Sequence, residues 1–108
     1  MDSTMDQLLP APIAAYFAAK TPRDVAQCFA EDGIASDERR THRGHDEIRR
    51  WREEVAKIDY SQEIISVSGD GDTVTVTCRL TGSFKGSPVE LDSVFTLRDG
   101  KIAQLSIS

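Results

Sequence analysis

The chain has 108 residues, 39% of them apolar and 29% charged, and its 13 lysines and arginines against 18 aspartates and glutamates leave a formal net charge of −5. This composition fits one soluble globular domain over residues 1–108 with a single core, and the first ten or so residues are expected to fray. The negative charge argues against nucleic acid or an anionic membrane as the main partner. No apolar run approaches the roughly 18 residues of a membrane-crossing helix, and no basic, apolar leader opens the chain, so a cytoplasmic protein is expected.

Ala11 to Lys20 reads as the first helix, with Pro12 at its start. Thr21-Pro22-Arg23-Asp24 repeats that signal, with Thr21 as N-cap and Val25, Cys28 and Phe29 as the apolar face of a second helix ending near Asp32-Gly33. Ile34 to about Arg40 is expected as a short strand. A third helix follows, in which Ile48, Trp51, Val55 and Ile58 recur at spacings of three and four. Asp46 with Arg50 and Glu53 with Lys57 are expected as ion pairs on its outer face.

After Tyr60 the period changes to two. Val74, Val76, Cys78 and Leu80 alternate with threonines and Arg79, and Gly69-Asp70-Gly71-Asp72 turns the chain before them. Turns at Lys85-Gly86-Ser87-Pro88 and Arg98-Asp99-Gly100-Lys101 set off strands Val89 to Leu97 and Ile102 to Ile107. The strand from Val89 carries Val89, Leu91, Phe95 and Leu97 on one face, and Glu90, Asp92, Val94 and Thr96 on the other. Apolar residues on both faces predict a homodimer formed through the sheet.

The two cysteines are expected as buried free thiols, and neither they nor the two histidines have zinc-ligand spacing, so no metal is expected. Between positions 37 and 57, seven basic residues face six acidic ones. That near balance reads as a solvated, ion-paired surface.

The predicted order ααβαββββ, with Phe29-Ala30-Glu31-Asp32, Arg43-Gly44 followed by Ile48 and Trp51, and Asp99-Gly100-Lys101-Ile102 before the last strand, resembles the SnoaL-like branch of the nuclear transport factor 2-like superfamily. The resemblance covers nearly the whole chain. It implies an α+β fold in which a cone-shaped, curved, antiparallel-rich sheet wraps a long helix and encloses an apolar pocket. Phe17, Trp51, Val55 and Val94 are the residues expected to line it. Members include polyketide cyclases, ketosteroid isomerases, dehydratases, epoxide hydrolases and non-catalytic binding domains, so the fold does not fix the function.

Three positions resemble the ketosteroid isomerases. Tyr16 stands in a Tyr-x-Ala-Ala setting on helix one, Asp37 lies eight residues after Phe29, and Asp92 lies nine before Lys101. The resemblance implies Asp37 as a base, with Asp92 and Tyr16 as hydrogen-bond donors to an oxyanion. His42, in the loop entering the long helix, is a further acid-base candidate. The other reading of the same residues leaves Asp37 and Glu38 solvated, pairs Asp92 with Arg79, packs Tyr16 in the core and puts His42 in a capping loop.

Two functions remain open at this point. One is a cofactor-independent isomerase, cyclase or dehydratase acting beside the carbonyl of a small ligand. The other is a non-catalytic module that binds an apolar ligand or dimerises. No phosphate loop, nucleophile elbow or metal spacing supports other chemistry.

Overall fold

The computed structural model describes residues 9–37 and 39–108. The fraying expected of the first residues and the position of Glu38 fall essentially outside that range. Helix α1 (Ala11–Ala18) has a proline in its first turn and buries Ile13 and Tyr16. Helix α2 (Pro22–Gln27) is capped as its sequence predicts: the Asp24 amide donates to Thr21 Oγ1 at 3.1 Å. One of the donors a helix start leaves without a partner is thereby satisfied.

Helix α2 stops well short of Asp32-Gly33, which lies inside strand β1 (Phe29–Asp37). The expected turn is a register shift in the strand: β1 runs parallel to the last strand, Phe29 opposite Ile102 and Ile34 opposite Gln104. Gly33 makes that irregularity possible, because a Cβ there would stand 3.0 Å from the Phe29 Cβ and the Ala30 carbonyl. A second departure is strand β2 (Arg40–Arg43), which pairs antiparallel with the end of β1 and makes the order ααββαββββ. Its Arg-Thr-His-Arg sequence carries no apolar alternation, and its charge suits a sheet edge.

Helix α3 (Gly44–Val55) buries Ile48 and Trp51. Ile58 lies beyond its end and is 46% exposed. Its surface pairs differ from those expected: Arg49 reaches Asp46 and Glu53, and Lys57 reaches Glu54. Such exposed pairs add little stability. His45 Nε2 lies 2.8 Å from the Phe29 carbonyl oxygen and ties the start of α3 to β1.

Strands β3 (Tyr60–Asp70), β4 (Thr73–Gly82), β5 (Val89–Arg98) and β6 (Lys101–Ile107) form an antiparallel meander. With β1 and β2 they make one mixed sheet in the order β2-β1-β6-β5-β4-β3. The alternation along β4 holds, with Val74, Val76 and Cys78 buried. On β5 the inward residues are Ser93 and Phe95, and Asp92 is exposed. Phe29, Phe95, Ile13, Ile48, Ile102 and Leu105 are the largest fully buried side chains and form a core between the helices and the concave face. Both cysteines are free and buried, as their positions predict.

Candidate functional site

A cavity of about 610 Å3 opens between helices α1 and α3 and the concave face of the sheet. Its apolar walls include Val55 from α3, Leu80 from β4, Leu91 from β5 and Ile107 from β6. Polar side chains reach it as well, among them Tyr16, Asp37, Arg39, Arg52, Gln62 and Ser93. An apolar-walled chamber with such polar groups suits a small organic ligand.

Asp37, the last residue of β1, comes to the cavity because β1 is held on both sides, opposite Arg40 of β2 and Ile107 of β6. The indole Nε1–H of Trp51 donates to Asp37 Oδ2 at 3.1 Å and fixes the carboxylate against α3. Trp51 is itself stacked on the ring of His42, with centroids 5.6 Å apart and planes inclined by 18°. His42 therefore braces the tryptophan, and it is not among the residues lining the cavity.

Tyr16 is clamped by aromatic edges, its ring 5.0 Å from that of Phe17 and 5.3 Å from that of Phe95. Arg52 donates to the Tyr16 hydroxyl at 3.4 Å, and its guanidinium lies 5.1 Å from the Trp51 ring centroid and 5.6 Å from that of Tyr16. Burial pushes the Tyr16 phenol up to about 12, against a smaller opposing pull from the Arg52 charge. At neutral pH Tyr16 is thus a protonated hydroxyl able to donate to a ligand oxygen.

This burial has a stability consequence. The folded chain holds the Tyr16 proton up to about 12, whereas an unfolded tyrosine releases it near 10. The contribution is complete below pH 10 and is lost as pH rises toward 12, about 2–3 kcal/mol in all. Urea midpoints between pH 8 and 12 are expected to fall more steeply for the wild type than for Tyr16→Phe; parallel curves would contradict the burial of a protonated phenol.

Of the side chains singled out from sequence, Tyr16, Asp37, Trp51 and Val55 line the cavity. Asp92 does not: it is exposed on the convex face and accepts a 2.7 Å hydrogen bond from Thr77 Oγ1. Strand alternation places Leu91 and Ser93 at the cavity in its stead. Val94 shares the outward face with Asp92, opposite Thr75 and Ser106. Phe17 packs on Tyr16 and Phe95 rather than lining the cavity. Arg79 pairs with Glu90 at 3.1 Å, not with Asp92.

Sequence reasoning counted Arg52 with the balanced, ion-paired surface of positions 37–57 and passed over Ser93. Arg52 had a signal: four residues after Ile48 and three before Val55, it stands on the apolar stripe of α3, where a charge needs a reason. Among the described residues no group of three or more His, Cys, Asp or Glu side chains could hold a metal, and no helix is long and apolar enough to cross a membrane.

A curved mixed sheet closed over helices in this way is the α+β cone of the nuclear transport factor 2-like fold. The chain belongs to the SnoaL-like domain family, whose model matches residues 13–105. It is similar to the crystal structure of a candidate polyketide cyclase from Sinorhizobium meliloti, with 35% identity, a TM-score of 0.86, and coverage of 93% of this chain and 95% of that one. A protein of ketosteroid isomerase-like fold from Catenulispora acidiphila, solved with trimethylamine, matches at 22% identity and a TM-score of 0.78 over 92% of this chain and 85% of its own. A nuclear transport factor 2-like protein from Cytophaga hutchinsonii matches at 13% identity and a TM-score of 0.63 over 81% and 73%. The last two likenesses are of fold alone. No curated protein matches the chain.

Proposed function

We propose that the cavity binds a small, mostly apolar ligand bearing a carbonyl, and that the protein moves a proton beside that carbonyl without a cofactor, as an isomerase, cyclase or dehydratase does. The observation that carries this reading is that a carboxylate, Asp37, and a protonated phenol, Tyr16, line one apolar-walled cavity. In this reading Asp37 takes the α-proton. Tyr16 donates to the oxygen on which negative charge develops, and the Arg52 cation at its hydroxyl strengthens that donation. The S. meliloti relative named as a candidate polyketide cyclase supports the class of chemistry, since cyclisation of such chains also begins beside a carbonyl.

The test is α-proton exchange in deuterated buffer, followed by NMR over a panel of cyclic and aromatic ketones. Catalysed exchange of at least one ketone is expected. Ketones that bind and shift the Trp51 indole resonance without any exchange would leave a binding module in place of an enzyme.

A cytoplasmic homodimer joined through the convex sheet face belongs to the same proposal. Val94 on that face, between Thr75 and Ser106, is the apolar residue such a contact would cover. Sedimentation velocity is expected to give a dimer for the wild type and a monomer for Val94→Lys; a monomeric wild type would overturn it.

A further inference from the structure

Four charged side chains among the described residues line the cavity: Asp37, Arg39, Arg52 and Lys85. The negative one, Asp37, accepts a hydrogen bond at Oδ2 from the neutral Trp51 indole N–H, which holds the carboxylate on the α3 side of the cavity without cancelling its charge. Arg39 and Lys85 are exposed, so water and salt screen them at the rim. Arg52 differs from both. It is half-buried, its guanidinium lies over two aromatic rings, and its hydrogen bond goes to the neutral hydroxyl of Tyr16.

Ring faces replace part of the water around a guanidinium and hold its plane, but they do not neutralise its charge. Arg49, Arg79 and Arg98 each meet a carboxylate within 3.2 Å. Among the described residues Arg52 has no such partner, and one bond to Tyr16 uses only one of its five N–H groups. A planar cation held this way at an apolar wall matches a carboxylate, which it can bind through two parallel hydrogen bonds.

We propose that Arg52 makes the cavity selective for ligands that join a carboxylate to an apolar body, so that the substrates of this site are carbonyl compounds that are also acids. This rests on the reading of the cavity as a ligand site, and it does not depend on proton transfer by Asp37. Trp51 and Tyr16 have a second use here, as the rings that hold the guanidinium in place. The ligand's carboxylate anchors at Arg52, and its apolar part lies against Val55, Leu80 and Leu91.

The test uses two isosteres, 2-naphthoate and 2-naphthamide, titrated calorimetrically into the full chain. The indole N–H resonance of Trp51, the one tryptophan in the sequence, places binding at the cavity. Naphthoate is expected to bind at least about tenfold more tightly than naphthamide, the factor a charge-assisted hydrogen bond supplies. Arg52→Gln is expected to bring the two affinities within about twofold of each other by weakening naphthoate alone, whereas Arg39→Gln and Lys85→Gln keep most of the preference because rim charges contribute little.

Equal binding of the two compounds by the wild type, a preference that survives Arg52→Gln, or no binding of either at millimolar concentration would overturn the proposal. The wild-type comparison stands even if the variant does not fold. Naphthoate preference with no ketone exchange would remove the enzyme reading and keep Arg52 as an anion selector; exchange without the preference would do the reverse.

Discussion

Asp37→Asn is expected to lower α-proton exchange by about 10²- to 10⁴-fold, the usual contribution of a positioned general base. The substitution keeps the shape of the side chain, and its amide oxygen still accepts the 3.1 Å hydrogen bond from the Trp51 indole. The melting temperature is therefore expected to stay close to that of the wild type, and naphthamide binding should be unchanged. What is lost is the lone pair that takes the proton. The rate is read by NMR in deuterated buffer alongside a thermal melt. A variant that melts normally and keeps exchange within about threefold would clear Asp37 of this role, since positioned bases contribute far more.

The other large effect lies in the sheet. Val76 is fully buried between Val67 of β3 and Ser93 of β5, where a single serine hydroxyl is the polar neighbour and no cation faces it across the strands. Val76→Asp would place a carboxylate there, at a cost of several kcal/mol against a total stability of about 5–15 kcal/mol for a domain. The variant is expected to be unfolded or molten at 25 °C by circular dichroism. Thr81→Asp, at an exposed outward position of the same strand away from Val94, is expected to cost about 1 kcal/mol or less in urea denaturation. Similar losses at both positions would mean that the two faces of β4 are not inside and outside as described.

Much of the fold was readable because two periods are written plainly into the chain. Ile48, Trp51 and Val55 mark the face α3 turns to the core, and Val74, Val76 and Cys78 mark the concave face of β4. Where local signals competed with pairing partners far along the chain, the reading failed. Asp32-Gly33 looks like a turn, yet pairing with β6 keeps it in a strand. Strand β2 has no apolar residue to announce it and exists because β1 offers an edge.

The site was legible only in part. Tyr16 and Asp37 reach the cavity from the positions that resemble the isomerases. Asp92 fits the same spacing, but it shares a strand face with Glu90 and Thr96, and on a sheet with one concave side a single residue of register decides between cavity and solvent. Arg52 was assigned to the solvated helix face because it stands in a run of nearly balanced charge. Only the rings of Tyr16 and Trp51 show that it turns inward.

The parallel seam between β1 and β6 joins segments about seventy residues apart, the most distant strand pairing in the sheet. The meander from β3 to β6, by contrast, is stitched by short connections between neighbours. Closing a long loop costs more entropy than closing a local hairpin, so this seam carries the largest closure cost in the sheet. Asp37 rides on that seam. A chain whose meander has formed but whose β1 is undocked has the concave wall without its carboxylate, so the full lining of the chamber, Asp37 included, requires the whole domain and not the meander alone.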